Sequence, residues 1–183
     1  MAPAPALTTD QYFRTPESLL PTELIFGNLR VAESPTVLHQ QAVAAFHLAL
    51  APHVRARRAG YVFLAPLDVV FDAKRHLVMQ PDLLFIRSGR EDIIDRKVTG
   101  APDMVLEVLS PNPRIGTLEE RVGLFARYDV QEIWLLHQTE ERFEILSVRN
   151  GTVSDRQRFD YQTPLTSSVL PTFTRSIHDI LSA

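Results

Sequence analysis

Two apolar runs carry carboxylates that a protein core ordinarily rejects: Gln80-Pro81-Asp82-Leu83-Leu84-Phe85-Ile86 and Pro102-Asp103-Met104-Val105-Leu106-Glu107-Val108-Leu109-Ser110. An ionised carboxylate among Leu, Val, Ile and Phe is strongly unfavourable unless it is paired or coordinates a metal. If the runs are adjacent strands, Asp82, just after a proline, and Glu107, in mid-strand, come to one place. Magnesium suits such a pair, because it takes a few carboxylates and completes its shell with water and substrate phosphate. Asp103 lies four residues before Glu107. With a side-chain period of two it shares that face of the strand, as a third ligand or as a neighbour that raises a pKa. Pro-Asp pairs also begin ordinary turns, so Asp82 and Asp103 have a purely structural explanation that Glu107 lacks.

The elements that must position these acids follow from the chain of 183 residues, 45% hydrophobic and 22% charged, which suits one domain over 1–183 with residues 1–7 as a loose tail. Thr8 to Phe13 reads as a short capped helix, and Glu23 to Val31 as a hairpin about Gly27-Asn28. Ser34-Pro35 opens a helix from about Thr36 to Arg57, with Val37, Gln40, Val43, Ala44, His47, Leu48 and Ala51 near one face and Pro52 kinking or ending it. Gly60 to Phe71 supplies two strand-like runs, most simply a meander leading through the polar turn Asp72 to His76 into the first carboxylate strand. Ser88 to Ala101 reads as a loop with one helical turn at Glu91 to Asp95. After Ser110-Pro111-Asn112-Pro113, Thr117 caps a helix with Glu119 and Glu120 in its first turn, and Val130 to Leu136 is a buried strand. Strand, helix and strand then form a right-handed parallel crossover. Phe143 to Val148 and Ser154 to Tyr161 pair through Asn150-Gly151, and Thr174 to Leu181 closes the fold as a helix.

Composition narrows the chemistry. The chain has no cysteine, which removes thiolate metal sites and cysteine nucleophiles and fits a reducing cytoplasm. Any metal is held by oxygen or imidazole. No run is long and apolar enough for a membrane span. The histidines lack paired zinc spacing, and no phosphate-cradling glycine loop or nucleophile elbow appears. A net charge of −3 argues mildly against nucleic acid, although an acidic site can coexist with a basic rim. Lysine occurs only at Lys74 and Lys97, so arginine carries nearly all the positive charge.

Pro81-Asp82, Gly100 to Pro111, Arg121 to Phe125 and Val130 to Leu135, together with the Glu-Leu-Ile hairpin and the Ser-Pro…His-Gln helix start, closely resemble the Uma-type restriction endonucleases of bacteria. These belong to the PD-(D/E)xK nuclease superfamily, and the resemblance covers about Glu23 to Pro171. It implies an α+β fold: a restriction-endonuclease-like mixed central β-sheet flanked by helices, with β-hairpins. It also implies an Mg2+-dependent DNA endonuclease, Mn2+ being a possible substitute, with Asp82 and Glu107 as metal ligands, Glu23 as an accessory acid, and Gln40 or His39 near the site. A lone helical histidine is more often packing than ligand, so His39 receives no catalytic role.

The chain departs from the family pattern at the lysine. The family carries it on the helix after the glutamate strand, where this chain has Arg121, and the aspartate four residues earlier is Thr117. Leu109 stands where the superfamily's ordinary lysine falls, and Asn28 replaces an acid often found after the hairpin glycine. Arginine can stabilise developing phosphate charge but stays protonated and cannot act as a base. Arg121 is therefore read as the fourth catalytic residue beside Asp82, Glu107 and Glu23, or as a solvated arginine paired with Glu119 or Glu120. The alternative function is a nuclease-fold binding or structural module that no longer cuts. A homodimer is compatible with the apolar terminal hairpin and Phe173.

Overall fold

The computed structural model describes residues 6–16, 20–109 and 116–182. Residues 1–5 of the expected tail and the Ser110-Pro113 segment lie outside them. Leu7 is anchored, its N–H donating to the Gly27 carbonyl at 2.8 Å.

Two sheets form the body. One has six strands: β3 (Gly60–Leu64), β6 (Leu83–Arg87), β8 (Met104–Leu109), β9 (Glu132–His137), β10 (Arg142–Arg149) and β11 (Thr152–Phe159), adjacent in that order. The second has five: β2 (Asn28–Val31), β1 (Thr22–Ile25), β5 (Leu77–Met79), β4 (Val69–Asp72) and β7 (Val98–Thr99). The helices are α1 (Thr9–Tyr12), α2 (Val37–Arg57), α3 (Leu118–Arg127) and α4 (Ile177–Leu181). A mixed α+β fold with flanking helices is what the sequence pattern implies; its division into two sheets is not. The expected meander from Gly60 to Phe71 does not form, because β3 pairs with β6 whereas β4 pairs with β5 and β7. The first carboxylate run is also divided: β5 ends at Met79, and Gln80-Pro81-Asp82 carries the chain from one sheet to the other. Strand alternation cannot say which sheet a strand joins, since both interiors want the same apolar residues.

Each face of the six-stranded sheet has its own core. Leu83, Phe85, Met104, Leu106, Trp134, Leu136 and Phe143 pack against Ala42, Val43, Phe46, Leu50 and Val54 of α2 and Ile177 and Ile180 of α4. Leu84, Ile86, Val105, Ile133, Leu135 and Leu146 point the other way, onto Val122, Phe125 and Ala126 of α3 and Ile25, Val69, Leu77 and Met79 of the second sheet. The parallel pairing of β8 with β9 around α3 agrees with the sequence pattern. Helix α3 starts where Thr117 predicts, its hydroxyl accepting the Glu120 N–H at 3.1 Å.

Helix α2 corrects two expectations. Its buried stripe is His39, Ala42, Val43, Phe46, Ala49, Leu50 and Val54, whereas Val37 and Leu48 are 75% and 70% exposed. So many alanines and leucines surround this helix that several stripes satisfy the 3.6-residue period, and only contact with the sheet selects one. Pro52 does not end it, and the helix runs on to Arg57. A proline removes one i to i−4 hydrogen bond, and the buried residues on both sides of Pro52 hold the turns in place. The first hairpin turns on Phe26-Gly27, with φ of 49° and 83°, one residue before the expected Gly27-Asn28. The short strand β7 was hidden within the polar Ser88 to Ala101 stretch, beside a helical turn at Glu91–Ile93 that is shorter than the expected Glu91 to Asp95. The second hairpin turns at Asn150-Gly151 as its sequence requires, and α4 is shorter than Thr174 to Leu181, capped at Ser176. No described helix is long and apolar enough to cross a membrane.

Glu132 ties the C-terminal segment to the sheet. Its buried carboxylate accepts the Trp134 indole N–H at 3.0 Å, the Ser167 hydroxyl at 2.6 Å, and the Ser168 N–H and hydroxyl, each at 2.6 Å. Glu132→Ala strands the buried Trp134 and Ser167 donors and releases the exposed Ser168, so urea denaturation should show a loss of about 2–4 kcal/mol.

Candidate functional site

The site forms where the crossing segment between the sheets meets the end of β8. β6 begins at Leu83, opposite Leu106, so Asp82 lies just before the paired strand, beside the C-terminal half of β8. Asp82 accepts the N–H of Val108, the residue after Glu107, and its charge acts on the Glu107 carboxyl, so the two acids lie near one another. Glu107 points to the α3 side of the sheet, where the next layer is β1 of the second sheet with Glu23.

Arg121, on the first turns of α3, lies between the acids. Its Nε and Nη2 form a fork on Glu107 at 2.8 and 3.0 Å, its Nη1 reaches both Glu23 oxygens at 2.9 and 2.7 Å, and Nη2 also approaches the Gln80 carbonyl at 3.4 Å. All three nitrogens of the guanidinium are thus engaged. Glu23, at 0% exposure, also accepts the Gln80 N–H at 2.7 Å. The pairing of Arg121 with Glu119 or Glu120 does not occur; Glu120 instead forms a two-point ion pair with Arg30 at 2.8 and 2.9 Å.

Asp82 is held separately. One oxygen accepts the Val108 N–H at 2.8 Å and the other lies 3.2 Å from His39 Nε2. His39 reaches it from the buried stripe of α2, and its Nδ1 is buried without a hydrogen-bond partner among the described residues. Burial works to lower the His39 pKa, but the hydrogen bond to Asp82 and the charges of Asp82 and Glu107 outweigh it, and the net shift is upward. Gln40, one residue along, is exposed and makes none of the site's side-chain contacts among the described residues. Thr117 is the helix cap, and Asn28 donates to the Ile25 carbonyl at 3.3 Å.

Asp103 lies away from the site. At 0% exposure it accepts Arg87 Nε and Arg90 Nη1, each at 3.0 Å, and the Gln131 amide at 3.1 Å. Sharing a strand face with Glu107 did not make it a ligand, because four residues along a strand span about 13 Å.

The donor set suits a hard cation only as a two-carboxylate site. Asp82 and Glu107 each accept through both oxygens, yet a carboxylate offers about four acceptor positions, so lone pairs remain on each. Among the described residues no three Asp, Glu or His side chains converge as a metal-holding group. Water and a substrate oxygen would have to complete the shell, as magnesium prefers.

Burial pushes the Glu107 carboxyl up to about 7 from 4.5; Arg121 opposes the shift, and Asp82 and Glu23 add to it. The folded protein therefore keeps a proton between about pH 4.5 and about 7 that the unfolded chain has released. Stability from this group is complete below pH 4.5 and is lost as pH rises through 7. In the metal-free protein, urea denaturation should show stability falling by about 2–3 kcal/mol across that window. Glu107→Gln should remove most of the slope.

Glu132 and Glu144 are buried acids in apolar strand runs that the sequence reading passed over, although each carries the signal that singled out Glu107.

Comparison with known proteins places the chain in a family. Residues 9–178 match the family described as "Uma2: Putative restriction endonuclease". No curated protein matches. A solved structure, that of a "putative nuclease belonging to DUF820 from Anabaena variabilis ATCC 29413", superposes with a TM-score of 0.79 at 19% identity, covering 96% of this chain and 98% of that one. At that identity the likeness is one of fold. The family match, spanning nearly the whole described chain, carries the further conclusion that the protein belongs to the Uma2 family.

Proposed function

We propose that the protein is an Mg2+-dependent DNA endonuclease, accepting Mn2+ as a substitute, in which Asp82 and Glu107 hold the ion. The observation that carries this reading is the nearness of these two carboxylates at the crossing between the sheets: Asp82 accepts the N–H of Val108, next to Glu107, and its charge raises the Glu107 pKa. A divalent ion bound there would polarise the phosphate and lower the pKa of its water. The chain's own residues set the geometry around it. The Val108 N–H and His39 fix the two Asp82 oxygens, and the Arg121 fork fixes the Glu107 carboxylate plane. Arg121 keeps its positive charge because Glu107 and Glu23 outweigh the effect of burial, so it contributes a fixed field to a phosphate whose charge grows in the transition state.

The engagement of all three Arg121 guanidinium nitrogens by protein acceptors favours a second reading, a nuclease fold that no longer cuts. In the first reading Arg121 acts through its charge and through Glu107; in the second it is an ion-pair hub that closes the site. Lysine at this position has three donors on a flexible stem, and would leave the site more open while keeping the charge.

Cleavage of plasmid and single-stranded DNA, assayed with Mg2+ and with Mn2+, separates the two. Wild type should cut, Glu107→Ala and Asp82→Ala should abolish cutting, and Arg121→Lys should retain or raise it. Arg121→Ala should lose about 2–4 kcal/mol of transition-state stabilisation, roughly 30- to 1000-fold in rate. An inactive wild type beside an active Arg121→Lys selects the second reading; wild-type cleavage by Glu107→Ala would remove the site from both.

A further inference from the structure

The face of the six-stranded sheet that presents Glu107 continues sideways into a group of arginines. The register runs Glu107↔Leu135, Leu135↔Glu144 and Glu144↔Arg158, so these residues stand in one row across β8, β9, β10 and β11 and share a face. Glu144, 1% exposed, accepts Arg158 Nε at 2.9 Å and Arg156 Nη1 at 3.0 Å, with Arg142 Nε at 3.8 Å and His137 Nε2 at 3.3 Å. Burial works to raise the Glu144 pKa, but the arginines and His137 outweigh it and the shift is downward, which keeps this carboxylate ionised.

The group is short of acceptors. One buried carboxylate faces three guanidiniums, and Glu140, 57% exposed, reaches Arg142 at 2.9 Å and His137 at 3.9 Å but neither Arg156 nor Arg158. Arg142 Nε is buried with no hydrogen-bond partner among the described residues. Arg156 and Arg158, with side chains 46% and 64% exposed, each spend a single N–H on Glu144 and keep the rest of the guanidinium toward solvent. A surface built only for stability needs one arginine to neutralise Glu144. Here a buried acid fixes the orientation of two outward-facing forks, which is the preorganised form in which arginine meets phosphate oxygens.

We infer that Arg156 and Arg158, oriented by Glu144, form a binding surface for the phosphodiester backbone of the nucleic acid that enters the Asp82 and Glu107 site; the inference rests on the function proposed above. Strands stand about 4.8 Å apart, so the Arg158 backbone lies about 14 Å from that of Glu107, about four nucleotides along one strand at 3.4 Å each. Contacts of this kind set register and orientation without reading sequence. A local surface of this sort also reconciles nucleic-acid binding with a net charge of −3.

The test is binding of a duplex DNA oligomer in EDTA, where no cleavage occurs, for wild type, Arg156→Ala/Arg158→Ala and Arg156→Lys/Arg158→Lys, each titrated from 50 to 200 mM salt. Each lost phosphate contact lowers the slope of log affinity against log salt by about 0.9, so wild type should lose about tenfold more affinity than the alanine variant over that range. The lysine variant should keep the wild-type slope. Thermal melts of the same proteins report folding, and an alanine variant that melts early is replaced by Arg158→Ala alone, with half the slope change expected. Equal slopes for wild type and a folded alanine variant, or no binding by wild type, overturn the inference. Cleavage by the alanine variant at low salt is governed by Asp82 and Glu107 and judges the proposed function separately.

Discussion

Everything around the site is arranged about the guanidinium of Arg121, which places one positive charge between two buried acids contributed by different sheets. Glu23 comes from β1 of the five-stranded sheet and Glu107 from β8 of the six-stranded one. Without a cation between them, two carboxylates in that interior would repel each other and lack water to solvate them. Helix α3 supplies the cation in its first turns, which is why that helix must sit over the parallel pair β8 and β9. Val122, Phe125 and Ala126 of the same helix fill the seam below, so one short element both closes the core and neutralises the site.

The fold handles its other buried acids by different means. Glu132 is satisfied by neutral donors from the indole and from Ser167 and Ser168, and it secures the C-terminal segment. Asp103 is held by Arg87, Arg90 and Gln131 at the opposite end of β8 from Glu107. Glu144 gathers Arg142, Arg156 and Arg158 on the site's own sheet face. Asp82 differs in being held by the Val108 N–H and by His39, with no arginine on it among the described residues. The identity of Arg121 matters in the same terms. A lysine would hold one acid or orient one water, whereas the planar fork of arginine engages both acids at once.

Local chemistry made several features legible in the chain itself. Thr117 announced the start of α3, Asn150-Gly151 the second hairpin, and an acid in Met-Val-Leu-Glu-Val-Leu a strand that needed a partner for its charge. The nearness of Asp82 to Glu107 was legible in two strand-like runs, since a carboxylate in an apolar strand must find another charged group or a metal. These readings depend on residues within a few positions of one another, where backbone sterics, capping and the side-chain period of two leave few alternatives.

Tertiary structure alone decided the rest. A buried acid in an apolar strand has the same local signature at Glu107, Glu132 and Glu144, and only their neighbours separate an ion-pair site, a clamp of neutral donors and a cluster of arginines. Which stripe of α2 faces inward, and so brings His39 rather than Gln40 to Asp82, was set by contact with the sheet, because the helix is apolar on several sides. The partner of Arg121 was likewise out of reach: Glu119 and Glu120 adjoin it in the chain, yet Glu23 lies 98 residues away and pairs with it because two sheets converge there. Sequence constrains what each residue needs, a charge partner or an apolar cover, while the identity of the group that meets the need depends on contacts between elements far apart in the chain.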